Sequence, residues 1–174
     1  DAVALAREAD HSEVARTLRA RFPHPYTVDH ARAWIELRAP ESPPTALAIV
    51  RREDARLLGG VGVDRLADVA RLTGEIGYWL GPEHWGRGYA REATAAFVAY
   101  LFEAFDFERL EAWVFAPNLA SRRLLEACGF RLEGIARRSV VTGILRLRST
   151  FTERTFLLLV SNSSHAPRFG MSLP

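Results

Sequence analysis

The stretch GPEHWGRGYAREA, residues 81–93, sets Gly86 and Gly88 between a tryptophan and the start of an amphipathic run. A helix N-terminus carries unpaired N–H groups and the positive end of the dipole, which together bind anions. Glycine there removes the Cβ that would hold a phosphate off the backbone, and Arg87 and Arg91 add positive charge. Those residues in that order are suited to cradling a phosphate or pyrophosphate. Two nucleotide loops are excluded. A P-loop requires Gly-Lys-Ser/Thr, and the chain has no lysine; a dinucleotide fingerprint requires a third glycine where Arg91 stands. Other reactive groups are sparse. The five histidines, at 11, 24, 30, 84 and 165, have no metal-ligand spacing, and His84 reads as an exposed loop residue. Cys128 is the single thiol, with no His or Asp arranged to activate it, and reads as a small buried hydrophobe.

Positioning that loop requires a strand before it and a helix after it. Residues 1–38 read as helical, with Val14, Leu18 and Phe22 at fourfold spacing, then Ala31, Trp34, Ile35 and Arg38 behind an N-cap at Thr27. PESPP at 40–44 breaks the pattern. Strands are expected over 46–52, 55–66 and 74–81, then a helix over 88–105 with Ala93, Ala96, Phe97, Tyr100, Leu101 and Ala104 on one stripe. Residues 109–115 alternate as a strand, and 118–129 form a short helix capped by Asn118 and stopped by Gly129. Two further strands are expected around 130–138 and 149–160. Residues 1–160 therefore read as a single domain, and the polar, Pro/Gly-bearing 161–174 as a loose tail. Strands mixed with crossover helices indicate an α/β (α+β) fold with a partly antiparallel sheet.

Composition narrows the function classes. At 174 residues the chain is long enough to bury a core, and its 48% hydrophobic and 25% charged fractions are those of a globular domain. All 23 basic residues are arginine, but 21 acidic residues are interspersed among them, which argues against nucleic-acid binding. One cysteine fits a reducing compartment. No apolar run approaches the ~20 residues of a membrane span, and no secretory signal is visible, although the chain opens at Asp1 without a methionine. A cytoplasmic, bacterial protein without metal is expected.

Residues 75–93, EIGYWLGPEHWGRGYAREA, resemble the acetyl-CoA loop of the GNAT N-acetyltransferases, whose motif is Arg/Gln-x-x-Gly-x-Gly/Ala. Trp85 stands at the Arg/Gln position, Gly88 at the glycine and Ala90 at the last small residue. APNLASRRLLEACGFRLEG, residues 116–134, follows at the family's distance, with Asn118 and Gly129-Phe130 where its Asn turn and Gly-Phe pair fall. PHPYTVDHARAWI, residues 23–35, resembles the opening helices of the Rim-type, ribosomal-protein branch. The likeness covers residues 1–138 and fades over 140–156, where relatives carry a Gly and an Asp.

The resemblance implies a GNAT fold: a mostly antiparallel sheet of six to seven strands, splayed between the family's fourth and fifth strands. It implies acetyl-CoA as cosubstrate, with pyrophosphate on the amides of Gly86, Arg87, Gly88, Tyr89, Ala90 and Arg91. The pantetheine arm lies along Tyr78, Trp79 and Leu80, and a backbone N–H near Trp79 or Leu80 polarises the thioester carbonyl. Glu75 stands where several such enzymes carry a catalytic glutamate, and Glu111 is the alternative base; either could instead be a strand-end carboxylate paired to an arginine. Ser121 fits the acid that reprotonates the CoA thiolate in the Rim-type branch, the more usual tyrosine position being Leu125. Arg122 and Arg123 could reach the CoA 3′-phosphate or simply face solvent. The acceptor implied is a primary amine, on a protein N-terminus or a small molecule, and homodimers are common in the family. The rival reading is an acyl-CoA sensor without turnover, for which Leu125 argues.

Overall fold

The computed structural model describes residues 1–137 and 156–162. Three helices, α1 (Ala2–Ala9), α2 (Ser12–Thr17) and α3 (Val28–Arg38), precede strands β1 (Ala46–Val50), β2 (Leu57–Arg65) and β3 (Thr73–Leu80). Helix α4 (Tyr89–Ala104), strand β4 (Arg109–Phe115), helix α5 (Leu119–Ala127) and strands β5 (Arg131–Ala136) and β6 (Phe156–Asn162) follow. The six strands form one sheet in the order β1-β2-β3-β4-β6-β5, antiparallel except where β3 meets β4. That pair is parallel because α4 carries the chain back across the sheet before β4 begins. No described helix is long and apolar enough to cross a membrane.

Two apolar layers sandwich the sheet. On one face Phe97, Val98 and Leu101 of α4 and Leu125 of α5 pack on Leu58, Val63, Ile76, Leu110 and Val114; each fully buried leucine here contributes about 1.5–3 kcal/mol. On the other face α1 and α3 join through Leu5, Ala6, Ala9, Tyr26 and Ala31, with Trp34 and Trp79 packed alongside.

The parallel seam is short. β3 and β4 pair only over Thr73–Arg109, Gly74–Leu110 and Glu75–Glu111, whereas β3 pairs with β2 from Gly74 to Leu80. Beyond Glu75 the sheet splays, and residues 76–80 of β3 border a gap.

The expected helix through Leu18 and Phe22 does not form. α2 ends at Thr17 and Leu18 is extended. Pro23 and Pro25 disfavour helical backbone at Phe22 and His24, and Phe22 instead lies 4.9 Å from the Tyr26 ring and 5.8 Å, edge-on, from Trp79. β1 stops at Val50, two residues before the expected end. β6 runs through Ser161, which is buried, to Asn162, inside the segment read as tail. The expected strand residues 138 and 149–155, and tail residues 163–174, lie outside the described residues.

Candidate active site

The loop between β3 and α4 is built around two left-handed glycines. Gly86 has φ 74° and Gly88 φ 86°, and a Cβ on either would meet nothing within 4 Å. The glycines therefore make the turn and also leave its outer side open. Gly88 is the N-cap of α4 with no side-chain cap, so the first amides of a sixteen-residue helix face this open side. Arg87 and Arg91 are exposed beside them. Trp85 does not reach over the cradle: its indole Nε1 donates to the Leu80 carbonyl at 2.9 Å and braces the loop on the end of β3.

His84, expected on an exposed loop, is buried at 2% exposure, a correction with a clear cause. α1 packs across β2 and brings Glu8, itself 3% exposed, over Gly81, where a Cβ would collide with the carboxylate. His84 Nε2 lies 3.0 Å from Glu8 Oε2, and Arg56 donates to Glu8 at 3.3 Å and to Glu83 at 3.1 Å. Burial alone would raise the Glu8 carboxyl, but bonds from Arg56 and His84 outweigh it and hold it below the usual carboxylate range. Nothing in the sequence signals this pair, whose members stand 76 residues apart.

Ladder phase settles which amides border the gap. Leu66 N–H donates to Thr73 O and Gly81 N–H to Leu58 O, so every second residue of β3 between them bonds to β2. Trp79 pairs with Gly60 in that phase, and the N–H groups of Tyr78 and Leu80 point into the gap. The Leu80 carbonyl is occupied by Trp85.

Tyr78 turns its side chain to the α4–α5 face. Its hydroxyl is 2.7 Å from Ser121 Oγ and donates to the Ser121 carbonyl at 3.2 Å. Burial pushes this phenol above its usual pKa, against the lowering effect of Ser121. Asn118 Oδ1 accepts from Ser121 N–H at 3.1 Å, capping α5 and fixing Ser121 beside the gap. The tyrosine–serine contact escaped the sequence reading, which used only the Tyr78 backbone. Leu125 is fully buried core, and burial raises the Cys128 thiol. Arg122 is engaged with Glu126 at 2.8 Å.

On the α1–α3 face a cavity of about 700 Å³ opens from the gap, with Tyr78 and Trp79 on one side and Trp113 and Phe115 on the other. Glu75 lies on its floor with Arg19 at 2.6 Å. Burial raises the Glu75 carboxyl despite the opposing arginine. Glu111 is in register with Glu75 but accepts from Trp113 Nε1 at 3.1 Å and faces Arg109 at 3.6 Å. Trp34 of α3 lines this cavity. Among the described residues no group of three His, Cys, Asp or Glu could hold a metal.

The acetyltransferase (GNAT) domain family matches residues 1–131. The uncharacterized N-acetyltransferase YoaA of Bacillus subtilis (strain 168) is 44% identical over 89 residues, 51% of this chain and 50% of that protein. The chain spans about half the length of that relative. Mycobacterium smegmatis RimJ, solved in complex with CoA-disulfide, superposes with a TM-score of 0.73 at 26% identity, covering 97% of this chain and 80% of its own. The ribosomal-protein-S5-alanine acetyltransferase of Vibrio fischeri superposes with a TM-score of 0.74 at 22% identity, covering 96% and 91%.

Proposed function

We propose that this chain, which belongs to the GNAT acetyltransferase family, moves an acetyl group from acetyl-CoA to a primary amine by direct attack in a ternary complex. The observation that carries this reading is the splayed seam. Beyond Glu75 the seam leaves residues 76–80 of β3 bordering a gap, with the glycine cradle following the end of that strand and the cavity over Glu75 reaching Tyr78 and Trp79. The open, left-handed turn and its uncapped helix fit a pyrophosphate, and the amides of Tyr78 and Leu80 fit an extended amide-bearing arm. Acetyl-CoA supplies the activated thioester. RimJ, solved with CoA-disulfide, supports the same cosubstrate here.

The chain's own residues then divide the work. Leu80 N–H, or Tyr78 N–H, donates to the thioester carbonyl as charge builds there, a contact of the kind worth about 3 kcal/mol. The acceptor nitrogen bonds to the acetyl carbon as the carbon–sulfur bond breaks. Glu75 takes the proton shed by nitrogen, and Ser121, linked to Tyr78, or solvent returns one to the thiolate. An α-amine, with pKa near 8, is roughly a tenth neutral at pH 7, and the neighbour named for ribosomal protein S5 alanine supports a protein N-terminus as one acceptor class. A small-molecule amine is the other. The protein acts, on this reading, without metal or nucleic acid. Release of free thiol from acetyl-CoA in the presence of an amine tests the proposal; binding without turnover would favour the sensor reading.

Glu75→Gln should lower kcat by about 100-fold at pH 7. In the wild type the rate rises with pH as the raised Glu75 carboxyl ionises, and that acid limb should vanish in the variant. A folded-state pKa above the unfolded one gives stability at low pH that is lost as pH rises through it. Glu75→Gln should therefore be as stable as wild type or more so at pH 7, by thermal melt. Ser121→Ala should cost less than about tenfold in kcat, because a thiol with a solution pKa near 8.5 leaves readily as thiolate. A hundredfold loss in a steady-state assay would instead make Ser121 an obligatory acid.

A further inference from the structure

Resting on the acetyl-transfer reading, we propose that the acceptor is a small primary monoamine with a ring-sized apolar body, taken whole into the cavity over Glu75. Three features of that cavity carry this.

The first is its charge. Three carboxylates line it among the described residues: Asp1, whose Oδ1 accepts from Val3 N–H at 3.0 Å, and Glu75 and Asp64, side by side in the β2–β3 register on its floor. The two on the floor already have arginines: Arg19 lies 2.6 Å from Glu75, and Arg38 lies 3.0 Å from Asp64, which Arg21 also contacts. A polycation gains from carboxylates left without a counter-charge, and these two have theirs. Glu75 can take up one proton, which matches one amine.

The second is its walls and depth. Phe22, Tyr26 and Trp34 hang from the α1–α3 side, Trp79 rises from β3, and Trp113 stands across the gap. Phe22 meets Trp79 edge-on at 5.8 Å, the separation at which a further ring packs well. Beneath them, part of the floor is glycine, with the Trp79 indole lying over Gly60. Gly60, Gly62 and Gly77 line it, and a Cβ on Gly77 would meet nothing within 4 Å. At about 700 Å³ the space is of the size that encloses a small organic molecule.

The third is its backbone. β1–β2 and β2–β3 are paired along the floor, so a peptide lying over β2 finds no free edge there; the outer edge of β1, the end strand of the sheet, is unpaired among the described residues and lies away from the gap. Edge pairing is how extended peptides gain main-chain hydrogen bonds. The free edge of β3 faces the gap, which the cosubstrate arm takes.

The test is thiol release from acetyl-CoA by the full chain with 2-phenylethylamine, spermidine and a peptide with N-terminal alanine. A kcat/KM for phenylethylamine about tenfold or more above the other two is expected. Gly77→Val, which projects two methyl groups into the floor, should raise KM for phenylethylamine by a similar factor while calorimetric acetyl-CoA affinity holds. Preference for spermidine or for the peptide, or no turnover of phenylethylamine while acetyl-CoA binds, would overturn the acceptor assignment and leave the cosubstrate reading standing. Failure of the wild type to bind acetyl-CoA would overturn both.

Discussion

Gly88→Glu should bind acetyl-CoA at least about 100-fold more weakly than wild type, a loss of about 2.7 kcal/mol. Two effects add. Gly88 sits at φ 86°, where a side chain costs about 1–2 kcal/mol, a strain that loosens the turn. The new carboxylate then stands at the positive end of α4, where a pyrophosphate would otherwise lie, and like charge repels it. Gly88→Ala separates the two, since it shares the strain and lacks the charge. Its melting temperature should fall about as far as that of Gly88→Glu, while its affinity drops by less than about tenfold. Calorimetry with acetyl-CoA and with CoA, alongside a thermal melt, reads both quantities. Binding by Gly88→Glu within a few-fold of wild type would move the phosphate site away from this turn.

Glu8→Ala is expected to be the most destabilising single change outside the main core, by about 3–5 kcal/mol in urea unfolding. The replacement leaves His84, at 2% exposure, and the Arg56 guanidinium without their shared acceptor. Glu8→Ala/His84→Ala should cost less than the sum of the two single changes, because each alone already removes the same contact. The pH dependence has a definite sign. A carboxyl held below its unfolded value contributes stability above that value, about 4.3, and loses it as pH falls through the depressed folded one. Wild type should therefore shed this contribution below about pH 4, and Glu8→Gln should show a flatter acid limb. A loss under about 1 kcal/mol in Glu8→Ala at pH 7 would mean that water reaches the pair and screens it.

The two pairs of residues that matter most here were invisible to a reading along the chain. Periodicity found β3, α4 and β4 because each element repeats its own pattern, at two residues per cycle in strands and at 3.6 in α4. Asn118 was legible as a cap because its partner, the Ser121 amide, is three residues away. Local signals also carried the glycine turn. Glu8 with His84, and Tyr78 with Ser121, are brought together only by the fold, across 76 and 43 residues. His84 looked solvated because it stands in the loop between a strand and a helix, and only α1 lying over it reverses that. Fourfold spacing misled at Leu18 and Phe22, where two prolines outweigh apolar periodicity. The cavity floor had no signature either: Gly60, Gly62 and Gly77 are scattered over two strands, and their alignment is a matter of register.

A sheet whose halves share three residue pairs has a consequence for how long the folded chain lasts. The half made of β1–β3 and the half made of β4–β6 are joined by little backbone, so opening along that line exposes few hydrogen bonds to replace. An arm lying in the gap would act as the missing rung between them. Ligand at 100 times its Kd adds about 2.7 kcal/mol to the folded state by mass action. Amide exchange at residues 76–80 should then slow on adding acetyl-CoA, and proteases should cut the protein less. Survival of the enzyme would rise and fall with the supply of the molecule it spends.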